Sequence, residues 1–299
     1  MRILTWFQAT RPQFFTIIIL PIFLGNAIAW YDKKIFSLGY FILSLIAGIL
    51  CVAAANVLND YFDHLNQTDI LNTDPLTPFA GGSRMIQNNI LTAEQTFHYG
   101  MVLLSLAIAL GIFLIIERGL PLLWIGLIGV LSIYFYSAPP LLHSVGLGEI
   151  TIGLNYGILA VAGSYFVQTQ TYSATAFFAS LPMAGFAAAI LYINQFPDFE
   201  ADRAAGKRNW VVRLGKEKAK TYYNYLILGS FGFLLLGIAL QYLPIWTAIS
   251  FIILPFAIKA IQILKEHYQH KQALIPAIQN TIALHSLMGI LLTVIFLFV

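Results

Sequence analysis

The sequence predicts an all-α, multi-pass membrane protein, and three observations carry that reading. Of 299 residues, 59% are hydrophobic and only 10% charged, with a mean hydropathy of +0.78, far from the balance of a soluble domain. Apolar runs separated by charged or Pro/Gly punctuation recur at 14–31, 36–59, 97–116, 120–137, 148–168, 174–196, 222–241, 245–264 and 277–298. Such runs approach the ~20 residues that cross a bilayer core as helix, so nine transmembrane helices are expected. Lysine and arginine also gather on alternate connections, as they do when loops are sorted by side. The ten-residue alternation of a membrane β-barrel is missing from the sequence.

The first run follows Arg2 and Arg11 and contains "AIA" at 27–29, a pattern that imitates a signal peptide. Phe14 to Trp30 is nonetheless long enough for a full crossing, so it is read as a retained first helix. Of the 16 Lys and Arg residues, only Lys33, Lys34 and Arg118 fall on one side of the nine-span scheme, and the other 13 fall opposite. The N-terminus and the ends of the even-numbered helices are therefore expected in the cytoplasm, in a bacterial inner membrane. A net charge of +3, scattered through apolar sequence, argues against a nucleic-acid partner. Cys51 is the only cysteine, which excludes an intramolecular disulfide.

Four of the aspartates crowd "NVLNDYFDHLNQTDILNTD" (56–74), and two more stand in "NQFPDFEADRAAGKRNWVVRLG" (194–215). On a continuing helix Asn56, Asn59, Asp60 and Asp63 share one face, as do Asn194, Asp198 and Asp202. Pro197 is expected to kink the second helix just before its aspartates. An ionised Asp at mid-bilayer costs roughly 2.5–3.5 kcal/mol, so these groups must line a wet cavity near the interface. One acidic helix end alone reads most simply as a solvated loop. Two ends with the shared spacing N-x-x-x-D, both expected on the cytoplasmic side, point to one site.

Carboxylates held so close need a cation between them, and Mg²⁺, which takes oxygen ligands and substrate phosphates, is the natural choice. Arg84, Arg203, Lys207 and Arg208 stand beside the clusters, suited to the remaining charge of a diphosphate. A diphosphate in a membrane pocket implies a lipid tail. In the third cytoplasmic connection, "YFYSAPPLLHSVGLGE" (134–149), Tyr136 is either a substrate contact or part of an interfacial aromatic belt, and Glu149 either orients a ligand or caps a helix. The six histidines show no metal-ligand spacing and are read as structural.

The two acidic segments resemble the paired aspartate-rich motifs of the UbiA superfamily of intramembrane prenyltransferases, and "RPQFF", "GGSR" (81–84) and "YSAPP…GLGE" are similar to further elements of it. Asp69 stands two residues beyond the usual third aspartate position, here Gln67, a spacing similar to the branch that prenylates 1,4-dihydroxy-2-naphthoate in menaquinone synthesis. "QFP" at 195–197 departs from the pattern. The resemblance implies a single domain over 1–299, nine helices around a central cavity open to lipid, and cytoplasmic loops bearing the site. It implies Mg²⁺ on Asp60, Asp63, Asp69, Asp198 and Asp202, a polyprenyl diphosphate and an aromatic acceptor as substrates, and decarboxylative transfer. Asn59 and Asn194 would orient ligands, and Arg84, Arg203, Lys207 and Arg208 would hold phosphate oxygens. The offset of 135 positions from Asn59 to Asn194 and from Asp63 to Asp198 suggests two related four-helix units. Other acceptors of the superfamily (hydroxybenzoate, homogentisate, a porphyrin-derived ring, glycerol phosphate) and a cation transporter are the alternatives. A transporter predicts acids deep within the spans, without phosphate-binding cations beside them.

Overall fold

The computed structural model describes residues 3–299, and among them no strand is present. A short helix, α1 (Ile3–Ala9), leads through a left-handed Arg11 and a 3₁₀ turn at Pro12–Phe14 into α2 (Thr16–Lys33). There follow α3 (Leu38–Leu65), the single turn α4 (Thr68–Leu71), α5 (Ala93–Arg118) and α6 (Leu122–Ser137). Next, α7 (Gly148–Gly153) passes through a π turn at Leu154–Leu159 into α8 (Ala160–Thr169), ahead of the long α9 (Ala174–Ala204). The chain ends with α10 (Trp210–Leu214), α11 (Lys216–Ala239), a 3₁₀ segment at Ile245–Ile253 entering α12 (Leu254–His267), and α13 (Ile275–Phe298).

Eight of these helical units are long and apolar enough to cross a membrane, and α6 adds a shorter apolar ninth. At 1.5 Å per residue α6 covers about 24 Å, short of the hydrocarbon thickness but close to it. The count from hydropathy holds. Several boundaries differ where polar residues meet the helices: α5 and α11 begin at Ala93 and Lys216, ahead of the expected 97 and 222, and the helices carrying the acidic clusters run on to Leu65 and Ala204. Hydropathy ends a span where the sequence turns polar, whereas the backbone keeps its helical bonds into the interfacial region. Pro197 sits buried inside α9 without ending it, as membrane helices tolerate where neighbouring elements supply other partners.

Local signals punctuate the chain where they are strongest. Thr92 and Gln95 form a reciprocal capping box that starts α5, and Asn209 accepts the Val212 N–H at 2.9 Å to start α10. The main core joins α2, α8, α9, α11, α12 and α13 around Phe186, Tyr192, Phe196, Tyr223 and Phe296, while α3 packs along α5 on the other side. Large exposed apolar side chains such as Ile116, Trp124 and Ile252 cover the outer faces, as a bilayer solvent requires. The π turn has a steric setting. A Cβ at Gly157 would lie 2.4 Å from the Ala184 Cα, so only glycine lets this strand of helix approach α9, and the turn brings both Asn155 and Tyr156 to the interior cavity.

Candidate active site

A cavity of about 650 Å³ runs between the α2–α3 hairpin, α5, α6, the α7–α8 unit and α9. One end is polar, walled by Asp63, Asp69, Asp198, Asp202 and Lys207; the remainder is walled by groups such as Ile108, Leu114, Ile133, Val167 and Ile190. The polar mouth is where the ends of α3 and α9 meet the loops at 66–92, 138–147 and 205–209. An amphiphile with a charged head and a long apolar tail matches that division.

At the end of α3, Asp60 is buried and paired with Arg11, and it accepts the Ser83 N–H at 3.2 Å. Asp63 accepts from Asn59 Nδ2 at 3.1 Å and Asn66 Nδ2 at 3.3 Å. His143 Nε2 stands 3.4 Å from it, and Lys207 Nζ 3.3 Å. Lys207 also lies 3.4 Å from Asp202 on α9, so one buried ammonium bridges the two acidic helices. Asp202 accepts from Asn209 Nδ2 at 2.8 Å. Asp198 is held by Asn72 Nδ2 at 2.9 Å and the Gly81 N–H at 3.2 Å. Asp69 accepts from Gln87 Nε2 at 3.3 Å, and Arg84 donates to its backbone carbonyl at 2.5 Å.

The electrostatics outside the spans follow from this crowding. Burial pushes the Asp69 carboxyl up to about 6, with the charge of Asp63 adding to it against the pull of Arg11, Lys207 and Arg84. Burial works against the charge on Lys207, yet Asp63, Asp202, Asp198 and Asp69 outweigh it and hold the ammonium above its ordinary range.

The residues singled out from sequence separate into two groups. Asn59, Asp63, Asp69, Tyr136, Asn194, Asp198, Asp202 and Lys207 all line the cavity. Asn194 Oδ1 is buried without a hydrogen-bond partner, and Tyr136 stacks on His143 at 5.3 Å between centroids. Asp60 lies behind the wall, screened by its partner Arg11, which lines the cavity. Arg84 braces the Asp69 backbone instead of facing the cavity. Arg203 and Arg208 are exposed and stand outside the wall; Arg203 follows Asp202 on the helix and its guanidinium sits 6.0 Å from the Phe199 ring, since successive residues turn by about 100°. Glu149 accepts from Gln195 at 2.8 Å.

Sequence reasoning missed Arg11, Asn72, His143 and Asn209. From sequence Arg11 enters as a topological charge and within RPQFF, with no site role, and His143 as structural, whereas both line the cavity and the His143 ring stands beside Asp63. Asn209 carried a usable signal as the polar residue opening a helix. Asn72 carried none, because its bond to Asp198 spans 126 positions.

Five carboxylates (Asp60, Asp63, Asp69, Asp198, Asp202) thus face Arg11, Arg84 and Lys207, an excess of negative charge built from oxygen donors. That donor set fits a hard divalent cation. Among the described residues no three acidic or histidine side chains converge closely enough to hold an ion unaided, so further oxygens must come from a ligand or water.

A multi-pass helical bundle with an acidic mouth on an apolar chamber defines a membrane-embedded protein acting on an amphiphile. The chain belongs to the UbiA prenyltransferase family, whose sequence profile matches residues 18–295, and it is a prenyltransferase. It is 30% identical to the 1,4-dihydroxy-2-naphthoate octaprenyltransferase of Haemophilus influenzae over 74% of this chain and 73% of that protein. It is 26% identical to the 2-carboxy-1,4-naphthoquinone phytyltransferase of Synechocystis, over 96% of this chain and 91% of that one. The fold matches the solved structure of a UbiA homolog from Archaeoglobus fulgidus bound to DMAPP and Mg²⁺, with a TM-score of 0.68 at 18% identity, covering 97% of this chain and 99% of the other.

Proposed function

We propose that the protein transfers a polyprenyl group from polyprenyl diphosphate to 1,4-dihydroxy-2-naphthoate, with loss of CO₂, in menaquinone biosynthesis. The observation that carries this reading is the meeting of two carboxylate-bearing helix ends at the polar mouth of one long apolar cavity. The names of the relatives and the ligands of the Archaeoglobus fulgidus homolog support it. The charge asymmetry of the loops supports a mouth on the cytoplasmic face of a bacterial inner membrane.

Asp63, Asp69, Asp198 and Asp202 would hold Mg²⁺, with Asp60 engaged by Arg11. When bound, Mg²⁺ supplies Lewis-acid neutralisation of the leaving diphosphate. Lys207 holds diphosphate oxygens from between the two motifs, and Asn59 and Asn194 orient the head group. The apolar wall takes the prenyl tail and keeps water from the allylic carbon. In the reaction the allylic C–O bond breaks and diphosphate departs with the electron pair. The carboxyl-bearing ring carbon forms the new C–C bond, and the carboxylate leaves as CO₂, returning its electron pair to the ring.

Full-length protein, Mg²⁺, octaprenyl diphosphate and carboxyl-labelled dihydroxynaphthoate should yield unlabelled prenylated product and labelled CO₂ in equal amounts. Chelation of divalent cations should stop both. Transfer to hydroxybenzoate with its carboxyl retained, and none to the naphthoate, would move the protein to another branch.

A further inference from the structure

Between α4 and α5 the chain crosses the mouth of the cavity and makes its key contacts with the far half of the molecule. Asn72 is buried at 5% exposure and donates to one oxygen of Asp198 at 2.9 Å, while the Gly81 N–H donates to the other at 3.2 Å. The Ser83 N–H then reaches back to Asp60 at 3.2 Å. The crossing is anchored throughout: Leu76 and Ala80 sit in the main core, and Asp74 takes a contact from Lys271. Its tightest bend needs glycine. Gly81 and Gly82 have φ of +83 and +77, and a Cβ on Gly81 would lie 2.3 Å from the Pro75 Cβ.

We infer that this strap, residues 72–84, positions Asp198 for the metal and diphosphate reading proposed above, on which the inference rests. Asn72 and the Gly81 N–H act as positioning groups, so the loop that follows the first acidic helix completes the second motif. The terminal torsion of an aspartate is broad, so its carboxylate plane is only loosely fixed by the side chain itself. Two donors on separate oxygens fix that plane before a ligand arrives. Asp202 has a buried ammonium at 3.4 Å, but among the described residues Asp198 makes no ion pair. Neutral donors hold it in place, so no cationic side chain within ion-pair distance competes with the incoming cation.

The test is Mg²⁺-dependent binding of geranyl thiolodiphosphate, an unreactive analogue, to the full chain in detergent. Asn72→Ala should weaken that binding about tenfold. Asn72→Asp, of the same shape but with an acceptor in place of the donor, should weaken it further, and Asn72→Ser should recover part of the loss. In an Asp198→Asn background, Asn72→Ala should add less than about twofold, since the group it positions is already altered. Wild-type binding by Asn72→Ala and Asn72→Asp, or losses that multiply with Asp198→Asn, would overturn the strap and leave the functional reading standing. Absence of Mg²⁺-dependent binding by the wild-type chain would overturn both.

Discussion

At the end of α3, Asp60 lies against the Arg11 guanidinium and Asp63 against the Lys207 ammonium. At the end of α9, Asp202 shares Lys207, but Asp198 is held only by neutral donors, Asn72 and the Gly81 N–H. The two motifs have the same N-x-x-x-D spacing and are braced from different places: Arg11 comes from the N-terminal segment, Lys207 from the loop after α9, and Asn72 from the loop after α3. Each acidic end is thus completed by the other half of the chain. The difference leaves Asp198, like Asp69, without an ion pair, and marks Asp60 as the one already spoken for.

The largest effect should come from removing the groups on which the comparison turns. Asp198→Ala or Asp63→Ala should lower prenyl transfer by at least about a hundredfold while the protein still folds and inserts; retention of most activity by either variant would remove it from the metal site. Lys207→Met tests the shared brace in a different way. Without the ammonium, Asp63 and Asp202 face each other uncompensated, and the metal-free protein should lose about 3–5 kcal/mol. Added Mg²⁺ should restore part of that in thermal unfolding, an effect absent if Lys207 serves only as a topological charge.

A smaller loss should follow Gly82→Ala. Its φ of +77 disfavours any side chain, and the new Cβ would lie 2.9 Å from Asp69 Oδ2. Left-handed backbone costs about 1–2 kcal/mol for an L residue, which should appear as roughly a tenfold rise in the Mg²⁺ concentration needed for half-maximal activity. The smallest effects belong to Arg203→Ala and Arg208→Ala. Both side chains are exposed, where a charge contributes about 0–1 kcal/mol, so KM for the prenyl diphosphate should change less than about fivefold. A much larger rise would mean that these loops fold over the substrate once it binds.

Much of this was legible from the residues. Hydropathy found all nine spans, because burial in lipid demands long unbroken apolar runs and little else in the chain satisfies that demand. Helical periodicity placed Asn59 with Asp63, and Asn194 with Asp198, on common cavity faces. Other parts were out of reach. Arg84, Arg203 and Arg208 were grouped with Lys207 by proximity in sequence, but only Lys207 turns inward, and that depends on how the chain folds back after α9. The bonds of Asp60 to Arg11 and of Asp198 to Asn72 close gaps of 49 and 126 positions, for which local pattern carries no signal. The π turn at Leu154–Leu159 was equally hidden, since it arises from the approach of α9 and not from the composition of the segment.

The bracing of the two motifs also has an order in time. A chain inserted from its N-terminus presents Arg11 before Asp60, and their pair closes over only 49 positions, so this carboxylate is neutralised as soon as the first helical hairpin has formed. Asp63 waits much longer, because Lys207 lies 144 positions further on. During synthesis it must stay hydrated at the membrane surface until six spans are in place. A nascent chain truncated between α9 and Lys207 would therefore carry a half-neutralised acidic mouth, a state that differs from the finished protein in charge.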